Sequence, residues 1–345
     1  MAIIANISAE TTVIDIGYNL ISDLLRSMQV SGCVLLNECY LAPWAISIPS
    51  HKTLAEKLAS NQRTHIAAFH LVQRGSIDIE LENGQRDTVY EGEMVICYSG
   101  QAHTIYQGSN TQAHPFETLM QTGQNIFKPA AENESQSTSL LCGVFQLNNT
   151  TRNPLFEALP PLLKLSTKHT GENAHPSIKT LINLLLSEIA HPSYSHEYIV
   201  GRYLELLCAH SIGSYIESNK ANRSGWLHAI KNPMVAKVIG AIHSQPDYRW
   251  SVNTMAELGH LSPSRFAARF TQILGMSPMM YVTQWRMYVA GKLLTLPQSN
   301  IEKITSTMGY ENVAAFSRAF KRTMGVSPGV WRTNYQAQQT VLIKR

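Results

Sequence analysis

The sequence has no stretch approaching the roughly 18 uncharged apolar residues that a membrane-spanning helix requires. It offers no secretory leader either. MAIIANISAETTVIDIGYNL has no basic opening, and Asp15 interrupts its apolar character. Cysteine is scarce: there are 5, an odd number, with no CxxC spacing among them. That argues against a disulfide scaffold or a zinc finger and points to a reducing, cytoplasmic setting. Charged residues make up only 15% of the chain and apolar residues 44%, the balance of an ordinary globular protein. At 345 residues the chain has room for two or three domains.

The few charges are unevenly placed. Residues 226–345 carry 14 Lys+Arg against 4 Asp+Glu, and the rest carries 14 against 20. A basic C-terminal module on an acidic body implies that the module meets a polyanion.

That basic region contains a repeat. MAELGHLSPSRFAARFTQILGMSP and ITSTMGYENVAAFSRAFKRTMGVSP align at an offset of 50 from Phe266 onward: Phe266 with Phe316, Phe270 with Phe320, Gly275 with Gly325, Pro278 with Pro328. A repeated sequence means a repeated supersecondary unit. Ser251 and Asn300 are set to cap the first helices. Ser262 with Pro263 starts the second helix of copy one, and Gly275 and Gly325 end the two second helices as left-handed caps. Copy two needs one extra residue in its turn. The units, at 252–275 and 301–325, are helix-turn-helix motifs whose second helices can enter a DNA major groove.

These residues carry a resemblance. The tandem units, the bridging segment SPMMYVTQWRMYVAGKLL and the signature GYENVAAFSRAFKRTMGVSPGVWR resemble the AraC/XylS family of bacterial transcription regulators over roughly the last 110 residues. The resemblance implies a regulator of promoter DNA that works with RNA polymerase and more often activates than represses. Opposite the Phe pairs lie the residues expected to face double-stranded DNA. In unit one these are Ser264, Arg265, Ala267 and Ala268, and in unit two Ala314, Ser317, Arg318 and Lys321. Arg suits guanine, Ser several bases, and Ala the thymine methyl. Arg269 and Arg322 are assigned to phosphate or to intramolecular acids. Trp285 is expected in the core, and Arg286 is expected to hold the two units in register.

The N-terminal half reads as short strands. HIAAFHLVQ is apolar, SIDIELE alternates strictly, Asn83–Gly84 marks a hairpin, and residues 92–98, 116–120 and 140–147 are further strand candidates. Such spacing predicts a small barrel or jelly roll. Residues 49–60 and 132–139 read as polar connections.

Gly92, Gly100 and His103 follow the second motif of the cupin domains that often precede AraC-type DNA-binding domains, with Tyr98 and Gln107 replacing its Pro and Asn. The first cupin motif, with its metal ligands, is missing, and whether the barrel binds a metal stays open. His70, His103 and Tyr98 are the candidates for contacting an organic effector, and Cys33 with Cys142 for a redox pair.

Residues 14–28, 177–191 and 195–218 show helical spacing. The last two segments could pair two copies of the chain, and residues 218–225 read as a linker. The expected fold is α+β: a cupin-like β-barrel at 1–150, a helical middle at 151–225, and an all-α tandem helix-turn-helix domain at 226–345. The expected function is a sequence-specific DNA-binding regulator governed by a small-molecule or redox effector, with no catalytic residues and no cofactor. A cupin-type metalloenzyme with a DNA-binding module, and an architectural DNA-binding protein without effector, remain as alternatives.

Overall fold

The structure is a computed structural model, which describes residues 21–22, 25, 30–58, 64–109, 111–122, 137–148, 154–166, 176–217, 225–296 and 298–333. The helix expected at 14–28 falls almost wholly outside the described residues, and of the linker expected at 218–225 only Gly225 lies inside them. The chain divides into two compact units. One comprises residues 28–150 and 159–220, and the other residues 1–27, 151–158 and 221–345.

The first unit is built on two five-stranded sheets. The first runs β1 (Val30–Tyr40), β9 (Thr138–Leu147), β3 (His65–Arg74), β6 (Glu93–Cys97) and β10 (Leu162–Ser166). The second runs β5 (Arg86–Tyr90), β4 (Ser76–Leu81), β7 (His103–Gln107), β2 (Trp44–Ile48) and β8 (His114–Pro115). The strict alternation of β4 places Ile77, Ile79 and Leu81 in the core, as a half-buried antiparallel strand should. One apolar cluster takes side chains from both sheets, including Ile46, Ile79 and Ile105 from one and Ala68, Val72 and Val144 from the other. The sheets therefore pack face to face and do not close into the expected barrel. Two features explain this. β8 is only two residues long. β10 reaches β5 through a side chain, with Lys164 Nζ 3.0 Å from Asp87 Oδ1 and 3.1 Å from the Thr88 carbonyl, and not through a backbone ladder.

Two expectations are corrected here. Residues 49–60 contain helix α1 (His51–Lys57), and 116–120 belong to helix α2 (Phe116–Thr122), not to a strand. Leu54 and Ala55 on one helix and Phe116 and Leu119 on the other are buried in the inter-sheet cluster. A Lys57–Glu117 ion pair of 2.9 Å joins them. Phe116 and Leu119 are three residues apart, which serves one helical face as well as a strand, and the packing surface decides.

After the short helix α3 (Pro154–Glu157), the middle of the chain forms α4 (Pro176–Ala190) and α5 (His196–Glu217). Ile178, Ile182 and Leu185 of α4 and Leu204, Leu207 and Ile212 of α5 are buried. Leu184, Tyr198 and Leu206 on the same two helices stay 44%, 69% and 48% exposed.

The second unit is helical: α6 (Trp226–Lys231), α7 (Pro233–Ser244), α8 (Val252–Leu258), α9 (Pro263–Leu274), α10 (Pro278–Leu293), α11 (Ile301–Thr307) and α12 (Val313–Met324). Residues 328–333 begin one more helical segment.

Candidate nucleic-acid interface and buried histidine cluster

Each helix-turn-helix unit is delimited by its own sequence. Ser251 forms a capping box with Thr254 at the start of α8. The Asn300 and Asn312 side chains accept from the Lys303 and Ala315 backbone N–H groups at the starts of α11 and α12. Pro263 occupies the first turn of α9, where its missing N–H costs nothing. Gly275 and Gly325 close α9 and α12 in the left-handed conformation, at φ 73° and 81°.

The extra residue of the second copy lies in the turn itself. α8 and α11 begin at 252 and 301, an offset of 49, whereas α9 and α12 begin at 263 and 313, an offset of 50. The left-handed turn residue is His260 in copy one, at φ 54°, and Gly309 in copy two, at φ 73°. A Cβ on Gly309 would crowd this turn, lying 2.9 Å from an Arg286 guanidinium nitrogen and 3.2 Å from the Asp247 carbonyl oxygen.

Helices α9 and α12 each bury one face and expose the other. Phe266, Phe270 and Leu274 bury one side of α9, and Phe316, Ala319, Phe320 and Met324 one side of α12. On the other side Ser264, Arg265, Ala268 and Arg269 are exposed and Ala267 is half-buried. Ala314, Arg318, Lys321 and Arg322 are exposed on α12, with Ser317 half-buried. At the constant offset of 50, Arg318 and Lys321 stand where α9 has Ala268 and Thr271. Helix α12 is therefore the better equipped for long, charged contacts.

α10 ties the units together. Arg286 donates from Nε to the Pro246 carbonyl at 2.7 Å and from Nη2 to the Tyr248 carbonyl at 2.8 Å, while it packs against the Gly309 turn. Trp285 is buried and stacks on His243 with ring centroids 3.4 Å apart. A buried network missed in the sequence runs beside it. Trp226 Nε1 donates to the Tyr281 hydroxyl at 3.0 Å, and that hydroxyl lies 2.8 Å from His243 Nε2. With its oxygen accepting from the indole, Tyr281 turns its own proton to His243. Burial lowers the His243 pKa to about 3, so the imidazole stays neutral.

In the first unit the structure joins candidates that the sequence left separate. His70 Nε2 lies 2.9 Å from His103 Nε2, His70 Nδ1 lies 3.1 Å from Cys142 Sγ, and His103 Nδ1 lies 3.0 Å from the Gln101 carbonyl. Burial lowers the pKa of both imidazoles, so both are neutral. The hydrogen-bond directions then follow without choice. A carbonyl only accepts, so His103 carries its proton on Nδ1 and accepts at Nε2. His70 must then donate from Nε2 and accept at Nδ1, and the Cys142 thiol donates to it. Because His103 and Cys142 sit on opposite nitrogens of the His70 ring, the three cannot converge on one ion. Among the described residues no group of three His, Cys, Asp or Glu is placed to hold a metal.

The other candidates lie elsewhere. The Tyr98 hydroxyl reaches Ser211 Oγ on α5 at 2.8 Å and is not part of the histidine cluster. Cys33 pairs with Val144 across the β1–β9 ladder, whereas Cys142 faces Leu36. Cys33 and Cys142 are therefore not register partners, a register shift between Val34 and Leu36 falling between their pairings, and both are free thiols. A narrow apolar cavity opens beside the cluster, lined by His70 and Cys142 and otherwise by apolar groups such as Leu35, Ile46, Ile105 and Phe116.

Two tandem helix-turn-helix motifs on one bridging helix, following a jelly-roll-like sandwich, define a DNA-binding protein with an attached cupin. Comparison with known proteins agrees. A family described as "Cupin" matches residues 19–217, and one described as "Helix-turn-helix domain" matches residues 255–334. The HTH-type transcriptional regulator AlkR of Acinetobacter baylyi is 27% identical over 267 residues, covering 76% of this chain and 86% of that protein. A putative AraC-like transcription regulator of Streptomyces lividans is 24% identical over 275 residues, covering 77% and 86%. The crystal structure of ToxT from Vibrio cholerae aligns over 90% of this chain and 98% of its own, at 11% identity and a TM-score of 0.35. The chain belongs to the cupin-containing AraC-type family of DNA-binding transcriptional regulators. Among its described residues no helix is long and apolar enough to cross a membrane.

Proposed function

We propose that this protein is a cytoplasmic, effector-controlled activator that binds its promoter as a homodimer and works with RNA polymerase. Residues 226–345 bind DNA through the units at 252–275 and 301–325, residues 1–150 sense the effector, and residues 151–225 hold the dimer. The observation that carries the DNA-reading part is the pair of exposed Ser/Ala/Arg/Lys faces on α9 and α12, each backed by a buried Phe pair. Ser264, Arg265, Ala267, Ala268, Ala314, Ser317, Arg318 and Lys321 read base edges, and Arg269 and Arg322 hold phosphates. Dimerisation is supported by the exposed Leu184, Tyr198 and Leu206 on α4 and α5, which are large apolar groups otherwise expected inside. Effector sensing is supported by the apolar cavity beside His70 and His103. Activation rests on the family resemblance. The signal acts by shifting populations between conformations that differ in DNA geometry.

Transcript profiling of a deletion strain tests the reading. Loss of the gene should lower the transcripts of at least one operon. A rise would reverse the sign of regulation, and no change under any tested metabolite or oxidant would remove the regulatory role.

A further inference from the structure

We infer that Cys142 is the nucleophile of a covalent binding site for small apolar electrophiles of the α,β-unsaturated carbonyl class, with His70 as its base and His103 as the group that orients His70. This rests on reading the first unit as the sensing half and names the effector class. The geometry is that of an activated nucleophile: thiol, base within hydrogen-bond reach, and a third group fixing the base. Its polarity is set from the far end, where the Gln101 carbonyl forces every donor in the chain to point away from Cys142. The accepting nitrogen of His70, Nδ1, therefore faces the thiol.

The surroundings select the partner. Cys142 and His70 line the cavity, and the remaining lining is apolar, with no charged side chain. Burial pushes the Cys142 thiol up to about 12, so it rests protonated and needs its base at the moment of attack. The cavity holds only about 20 Å³, so a reagent enters by parting the apolar lining, and a neutral, carbon-rich one does so at less cost than a charged one, which would also have to shed its hydration. Alkylation also suits a cavity whose lining holds one thiol, because it needs neither an oxidant nor a resolving cysteine.

The addition balances within the site. Cys142 Sγ bonds to the β-carbon as the carbon–carbon π pair moves toward the carbonyl. The thiol proton passes to His70 Nδ1 and then to the α-carbon. A thioether forms, the carbonyl is restored, and both imidazoles end neutral. The adduct abolishes the thiol donor to His70 and so disturbs a chain whose far end, Gln101, lies three residues from Tyr98, which is held to Ser211 on α5.

The test treats the full chain with trans-2-hexenal and, separately, with iodoacetate, and maps adducts by mass spectrometry of peptides. Hexenal should modify Cys142 ahead of the half-exposed Cys33 and Cys39, and iodoacetate should show the reverse order. His70→Gln should slow hexenal addition at Cys142 by about 100-fold or more while leaving the labelling of Cys33 unchanged, and that unchanged labelling reports an intact fold. If His70→Gln fails to fold, the order of reagents on the unsubstituted chain decides. Hexenal adducts at Cys33 or Cys39 with Cys142 untouched, or a folded His70→Gln protein reacting at the full rate, would overturn the assignment. The readout is independent of DNA binding, so a chain that protects a promoter but leaves Cys142 unmodified sinks this site alone.

Discussion

Arg318 concentrates the reading hypothesis in one side chain. It is exposed on α12 and replaces the alanine of α9, and its planar fork can bond both acceptors of a guanine edge. Arg318→Ala should cost roughly 1–3 kcal/mol at one operator position and relax specificity there. Binding titrations on operators substituted one base pair at a time would show it, and equal weakening on operator and random DNA would reassign Arg318 to phosphate. The exposed candidates on both helices were legible because a Phe pair four residues apart names the buried face and hence its opposite. The Cys142–His70–His103 chain was not. His70 and His103 are 33 positions apart and Cys142 is 72 beyond His70; strand register pairs His70 with Cys142, and only the packing of one sheet on the other brings His103 to them. Tyr98 shows the limit from the other side: it lies within the cupin-like motif, yet its hydroxyl meets α5.

The helical elements were the most readable part. Caps, N-terminal prolines and terminal glycines fixed both helix-turn-helix units to within a residue or two, and even the inserted turn residue was visible as a change of offset. That turn makes a prediction. Gly275 and Gly309 both hold positive φ, but a Cβ at Gly275 meets nothing within 4 Å, while one at Gly309 meets Arg286 and the Asp247 carbonyl. Gly275→Ala should cost about 1–2 kcal/mol, the price of a left-handed alanine. Gly309→Ala should cost more and should weaken operator binding as well, since Arg286 must leave its two carbonyls. Thermal melts and gel shifts on the two variants would check this, and equal losses would contradict the role given to Arg286. The sandwich was less readable. β5 and β7 are short and polar, and α1 and α2 look like a connection and a strand until the packing surface is known.

Across the molecule, neutral buried histidines link stability to pH in both units. His243 is lowered to about 3 and His65 to about 4, both mainly by burial, and His70 and His103 are lowered for the same reason. Below the unfolded value near 6.5 the unfolded chain takes up protons that the folded chain refuses. The contribution is thus complete above about pH 6.5 and is lost as pH falls toward 4 and then 3, by up to about 1.4 kcal/mol per histidine per pH unit. Unfolding midpoints measured from neutral pH down to about 4 should fall steadily, and a flat profile would mean that these imidazoles are solvated. The division into a sheet-built and a helical unit was legible from the charge asymmetry and the repeat, whereas two packed sheets in place of a closed barrel depended on edge-strand lengths that composition does not reveal. What the whole molecule does rests on both reading helices engaging DNA together. Hydroxyl-radical footprinting of the purified chain on the promoter most affected by its deletion measures that. Two protected segments on one face of the duplex, about one helical turn apart per protomer, are the expected result, and protection of a single segment, or of none, would contradict it.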